Sequence, residues 1–154
     1  MPPRKLVLDT NCFIDASRDD ASAAAYASFA DLAAPRLHLS SVVAAELRAG
    51  AIDAPAAKLL EEEVLLPYQR RGRVIIPSPT AWRVLGSTLA TLLQTDGLEL
   101  RKTRRSFIFD VLIAYSCRES GAILVSRNAR DLNRIAGVFG FDFVAPFPDL
   151  AAVQ

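Results

Sequence analysis

The sequence predicts an α/β fold built on a central parallel sheet of about five short strands. Short runs that are apolar at nearly every position alternate with stretches of helical periodicity along the whole chain, so each strand is covered on both faces. Strands of that kind are joined by helical crossovers. No repeat, linker or low-complexity tract interrupts the alternation, and the chain reads as one domain from residue 1 to 154.

Taken in order, Arg4 to Leu8 is the first strand, and it runs into Asp9, Thr10 and Asn11, which suit the start of a helix. Ala21 to Ala34 is a helix with Tyr26, Phe29 and Leu32 at helical spacing, ended by Pro35. Leu37 to Ser40 is the second strand, and Ser40 or Ser41 caps a helix to about Ala51. Ala54 to Arg71 continues as another helix, with Pro55 near its start and a kink expected at Pro67. Val74 to Ile76 is the third strand. Thr80 to Leu93 then puts Trp82, Leu85, Leu89, Leu92 and Leu93 on one helical face, after which Asp96 and Gly97 open a polar, basic loop. Ser106 is the expected cap of a helix from Phe107 to about Glu119, broken by Gly121. Ala122 to Val125 is the fourth strand, Asn128 to Val138 a helix, and Asp142 to Val144 the fifth strand.

Composition removes several functional classes. With 51% hydrophobic and 23% charged residues the chain has a core and needs neither disulfides nor a structural metal to fold. Two isolated cysteines, Cys12 and Cys117, and no signal-like apolar run before Cys12 point to a cytoplasmic protein. No apolar stretch reaches the roughly 18 residues of a membrane span, and a net charge of +1 makes no global case for a nucleic-acid partner.

Three acids stand where acids are costly. In an open parallel sheet, ligands bind beyond the carboxyl ends of the strands, and Asp9 lies there. Glu46 sits among Val42, Val43, Ala49 and Gly50 at helical spacing, and Asp110 among Phe107, Ile113 and Ala114, so both carboxylates project from packing faces. Each has a plain alternative: Asp9 as a helix cap, Glu46 as an arginine-paired acid, Asp110 as an early-helix acid favoured by the macrodipole. Their joint placement favours a cluster. Desolvating one carboxylate costs several kcal/mol, and two about 4 Å apart repel by roughly 4 kcal/mol at an effective dielectric near 20. A hard divalent ion, Mg²⁺ or Mn²⁺, relieves both penalties; with one histidine, His38, and two distant cysteines, no usual zinc set is present.

Beyond the fourth strand, Ser126, Asn128 and Asp131 reach the same sheet edge, with Asn128 and Asp131 alternatively a reciprocal capping pair. Arg101, Lys102, Arg104 and Arg105 place four cations just before the Asp110 helix, and Arg127, Arg130 and Arg134 follow the last strand-end motif; either run suits phosphate contacts or a solvated face. Cys12 and Cys117 read as small buried hydrophobes, and His38 as a satisfied strand residue. Ala23, Ala24, Ala27 and Ala56 allow close helix approach and hence a groove for a partner helix or a second copy of the chain.

The segments LVLDTNCFID, SSVVAAELRAG and FDVLIAYSCRESGAILVSRNARDLNRI, in that order, resemble those of PIN-domain ribonucleases, most closely the VapC-type toxins, over residues 5 to about 148. The resemblance implies a three-layer α/β/α fold, a Mg²⁺- or Mn²⁺-dependent endoribonuclease acting on RNA and a cognate VapB-like antitoxin; a homodimer is expected besides. It places Asp9, Glu46 and Asp110 at the catalytic, metal-binding positions, Asn11 and Ser126 at supporting ones, and Asn128 where many relatives carry an acid, with Asp131 one turn later. That departure leaves three firm carboxylates and puts a second metal in doubt. Two other readings stay open: a PIN-fold nuclease of RNA processing or decay, and a catalytically silent RNA-binding scaffold. A haloacid-dehalogenase-like phosphatase would want a second Asp where Asn11 stands.

Overall fold

The computed structural model describes residues 2–154. Five parallel strands form one sheet: β1 (Leu6–Leu8), β2 (Leu37–Ser40), β3 (Val74–Ile75), β4 (Ile123–Val125) and β5 (Asp142–Val144), in the spatial order β3-β2-β1-β4-β5. The helices are α1 (Thr10–Ala16), α2 (Asp20–Ala33), α3 (Ser41–Gly50), α4 (Ala54–Leu59), α5 (Leu66–Arg70), α6 (Pro79–Thr95), α7 (Arg105–Ser120) and α8 (Ala129–Ala136).

Because successive strand residues point to opposite faces, the sheet sorts its side chains into two cores. Val7, Leu39 and Leu124 pack with α3, α6, α7 and α8, while Leu6, Leu8, Leu37, Ile123 and Val125 pack with α1, α2 and the final segment through Phe147, Leu150 and Val153. The result is the three-layer α/β/α arrangement. Arg36 fastens the second face, donating to the carbonyls of Arg4, Leu150 and Val153. Among the described residues no helix is long and apolar enough to cross a membrane.

Most helices begin where a side chain can serve their free N–H groups. Ser40 accepts from Val42 and Val43, and Asp19, Asp53 and Ser78 do the same for α2, α4 and α6. The expected cap at Ser106 is not observed: α7 starts earlier, at Arg105, so Ser106 lies inside the helix and no side chain caps its start. Gly121 closes α7 in the left-handed conformation, φ 69°, which a side chain would oppose.

Two further expectations change. The predicted long helix from Ala54 is broken by a π-helical segment, Leu60–Leu65, in which the N–H of Leu66 reaches back five residues to Glu61. Pro67 has no N–H, and its ring crowds the carbonyl four residues earlier, so the widened turn takes the place of a simple kink. In α6 the buried stripe is Ala81, Leu85, Thr88 and Leu92, leaving Trp82 57% exposed and Leu93 outside the core.

Candidate active site at the strand ends

The chain leaves β1 toward β2 on one side and returns to β4 on the other, so a crevice opens between the carboxyl ends of β1 and β4. Asp9 and Ser126 are the residues that follow those two strands. The Asp9 N–H donates to the Val125 carbonyl at 2.9 Å, which carries the sheet pairing one residue into the site.

Asp9, Glu46 and Asp110 border one pocket of about 190 Å³, together with Thr10, Asn11, Ser106, Arg127 and Asn128. Three separate elements deliver them: the end of β1, the middle of α3 and the first turns of α7. Every acid has a dedicated neutral donor. Ser126 Oγ donates to Asp9 Oδ2 at 2.6 Å, Asn11 Nδ2 to the same oxygen at 3.3 Å, and the Thr10 N–H to Asp9 Oδ1 at 2.8 Å. Asp9 therefore caps α1 and faces the pocket at once, and the two readings of it coincide. Thr10 Oγ1 donates to Glu46 Oε1 at 2.8 Å, and Asn128 Nδ2 to Asp110 Oδ2 at 2.9 Å.

None of the three acids has an ion-pair partner among the described residues. Burial accordingly raises the pKa of each. Asp110, 7% exposed, is pushed up to about 8, first by desolvation and then by the charges of Asp9, Glu46 and Asp131. Burial also raises Asp9, and the hydrogen bond from Ser126 opposes it. Glu46 rises for the same cause, with the Thr10 hydroxyl working against the rise and Asp9 adding to it.

As the side chains lie, both oxygens of Asp9 and one each of Glu46 and Asp110 are engaged with these donors, and no three acidic, histidine or cysteine groups among the described residues already close on a single point. The donor chemistry nonetheless fits a hard divalent cation: carboxylates only, half-desolvated, mutually repelling and without an ion-pair partner among the described residues, although Arg127 lines the same pocket.

The fourth motif departs from one reading of the sequence. Asn128 stands at the N-cap position of α8, but its side chain makes no capping bond; it bridges Asp110 and Asp131, at 2.9 and 3.3 Å. Asp131 lines a neighbouring cavity and stays outside the acid pocket. Ser126 Oγ also accepts from Asn11 Nδ2 at 2.9 Å and from the Asn128 N–H at 3.1 Å.

The basic residues separate as well. Arg127 is held by Asp15, with bonds of 2.6 and 3.1 Å, and Arg134 by Asp96 at 2.7 Å. Lys102 faces Glu99 at 3.2 Å, while Arg101, Arg104, Arg105 and Arg130 are exposed and make no ion pair among the described residues. Cys12 and Cys117 are buried free thiols, each pushed up to about 12 by burial, and His38 Nδ1 meets the Arg36 carbonyl at 2.9 Å.

Sequence reasoning missed Thr10, which orients Glu46. Its only signal was its place beside Asp9 at a helix start.

A model of the PIN domain family matches residues 6–138. The chain belongs to the PIN domain family. No curated protein matches it. Among solved structures, this PIN domain resembles FitAB bound to an IR36 DNA fragment, with a TM-score of 0.68 at 16% identity over 94% of this chain and 96% of that one. DNA-bound VapBC from Salmonella typhimurium gives 0.66 at 22% identity, covering 92% and 98%. VapBC2 from Rickettsia felis, bound to a fragment of its promoter, gives 0.61 at 23%, covering 91% and 97%. At these identities the likeness is one of fold.

Proposed function

We propose that this PIN domain is a divalent-metal-dependent endoribonuclease and the toxin of a toxin–antitoxin pair. The observation that carries the nuclease reading is the set of three carboxylates, none with an ion-pair partner among the described residues, around one pocket at the crevice of the sheet. Asp9, Glu46 and Asp110 are the residues that would hold Mg²⁺ or Mn²⁺. Bound there, such an ion would supply charge neutralisation at the scissile phosphate and would lower the pKa of a water so that it loses a proton and becomes the nucleophile.

The protein's own share is positioning and proton transfer. Ser126 and Asn11 fix the Asp9 carboxylate, Thr10 fixes Glu46, and Asn128 fixes Asp110 through Oδ2, leaving Asp110 Oδ1 free to take a proton as general base. Arg101, Lys102, Arg104 and Arg105 attract the RNA backbone to a pocket whose own charge repels it. Arg127 contributes less than its sequence position suggested, because Asp15 already binds it.

An apolar groove of about 620 Å³, lined by Phe13, Ile14, Tyr26, Leu47, Leu59 and Leu60, supports the partner reading. It reaches the acid pocket through Glu46 and Ile14, which line both. Of the alanines singled out in the sequence, Ala56 lines it, while α2 contributes Tyr26. A VapB-like antitoxin helix laid there would cover the entrance to the acids, and the VapBC and FitAB complexes that share the fold support that choice. Exposed Trp82 and Ile76 at the start of α6 and the end of β3 are the residues we assign to a homodimer contact.

The test is cleavage of structured RNAs by purified protein with Mg²⁺, with Mn²⁺ and with a chelator. Cutting that the chelator abolishes, and that Asp9→Asn removes, supports the reading; equal cutting by Asp9→Asn overturns it.

A further inference from the structure

A second cavity, of about 420 Å³, opens beside the acid pocket and shares Ser106 and Asn128 with it. Its walls are the loop from Gly97 to Arg104, the first turn of α7 and the first two turns of α8. The volume lies within the range of small-ligand sites.

Its lining carries both signs of charge, with Lys102, Arg104, Arg130 and Arg134 beside Glu99 and Asp131. At the rim, Arg104 and Arg130 are exposed and, among the described residues, unpaired. Asp131 is half-buried, with Oδ2 accepting from Asn128 at 3.3 Å. Asp131 Oδ1 lies 3.9 Å from Arg134, beyond hydrogen-bond distance. Arg134 holds Asp96 through Nε and lies 5.0 Å above the Phe107 ring, so it balances the Asp131 charge across this gap without a hydrogen bond to Oδ1. A phosphate alone suits the arginines and leaves Asp131 Oδ1 without a hydrogen-bond donor; a simple cation suits only the acids. A nucleotide carries both complements, an anionic phosphate and a base edge with N–H donors.

We propose that this cavity is the subsite for the nucleotide next to the scissile phosphate. Arg104 and Arg130 hold its backbone, and Asp131 Oδ1 accepts from the amino group of its base, so that guanine, adenine or cytosine is preferred to uracil. This rests on the nuclease reading above, and it makes Asp131 a specificity residue instead of a metal ligand.

The probes are oligo(C) and oligo(U) of equal length, which differ at ring position 4 by an amino group against a carbonyl. Binding is read by fluorescence anisotropy over a salt series. Wild type is expected to bind oligo(C) about tenfold more tightly, within the discrimination typical of a base-edge contact. Asp131→Ala is expected to erase that ratio, and Asp131→Asn, which keeps an acceptor oxygen, to restore part of it. The double variant Arg104→Ala/Arg130→Ala is expected to weaken both probes alike and to flatten the slope of log K against log salt by about 1.4, roughly 0.7 for each lost single-strand phosphate contact. Arg70→Ala/Arg83→Ala, exposed on α5 and α6, controls for net charge and is expected to change neither.

Equal binding of the two probes by wild type, an intact ratio in Asp131→Ala, or an unchanged salt slope in the double variant overturns the subsite. Cleavage of RNA by wild type in Mg²⁺ without any C-over-U preference overturns the subsite alone. Preference without cleavage sinks the nuclease reading and with it the subsite's place beside a scissile phosphate, leaving only the base contact of Asp131. Neither binding nor cleavage sinks both.

Discussion

Two sets of acids in this molecule face opposite circumstances. Asp15, Glu61 and Asp96, on the periphery, each have an arginine: Arg127, Arg48 and Arg134. Those hydrogen bonds hold Asp15 and Glu61 below the usual carboxylate range. Asp9, Glu46 and Asp110, inside, have no arginine, and burial holds all three above it. Arginines are therefore present near the strand ends and bind the outer acids, while hydroxyl and amide donors face the inner ones. Such donors orient a carboxylate without cancelling its charge, the arrangement expected where charge is kept for a ligand.

The sharpest way to break this contrast is to remove an inner charge. Asp110→Asn is expected to lower metal-dependent RNA cleavage by at least about a hundredfold, roughly 3 kcal/mol of barrier, in a steady-state cleavage assay. A fall of less than threefold would put Asp110 with the outer acids.

The same substitution is expected to stabilise the fold in alkali. The folded pKa of Asp110, about 8, lies above the ordinary carboxyl value. Its contribution is therefore fully present below about pH 4 and is lost as pH rises through 8. Metal-free wild type should melt at lower temperature at pH 9 than Asp110→Asn, by on the order of 10 °C if several kcal/mol are recovered, and the gap should shrink as pH falls. Differential scanning fluorimetry across pH reads this directly, and a gap independent of pH would contradict it.

Divalent ions should act next most strongly. Mg²⁺ or Mn²⁺ at about a hundred times its dissociation constant stabilises a native site by about 2.7 kcal/mol, so wild-type melting should rise at pH 8 and that of Asp9→Asn should not. Arg127→Ala, which breaks an outer pair, is the smallest case. Its pair is solvent-accessible and worth about 1 kcal/mol or less, so only a shift of a few degrees is expected, with cleavage nearly unchanged; a large loss of cleavage would return Arg127 to the RNA-binding set.

The sequence showed most of the fold because its strands are mostly apolar and several are followed by capping residues. Leu37–Ser40 and Asp142–Val144 stand as read, and Asp9, Glu46 and Asp110 border one pocket. What it hid is local geometry. Periodicity does not distinguish an α-turn from the π-turn before Pro67. Asn128 carries the same amide whether it caps α8 or bridges two carboxylates, and only the position of Asp110 decides between them. Likewise nothing near Arg127 in sequence announces Asp15, which arrives from α1 across the crevice.

Ser126 has one proton and two lone pairs, and Asp9, Asn11 and the backbone of Asn128 use all three. A shift of β4 by a single residue against β1 would put Arg127 or Val125 in that position. The hydroxyl thus acts as a gauge of strand alignment: a chain that pairs its central strands wrongly also loses the fixed position of its first acid, so the acid pocket forms only on a correctly paired sheet.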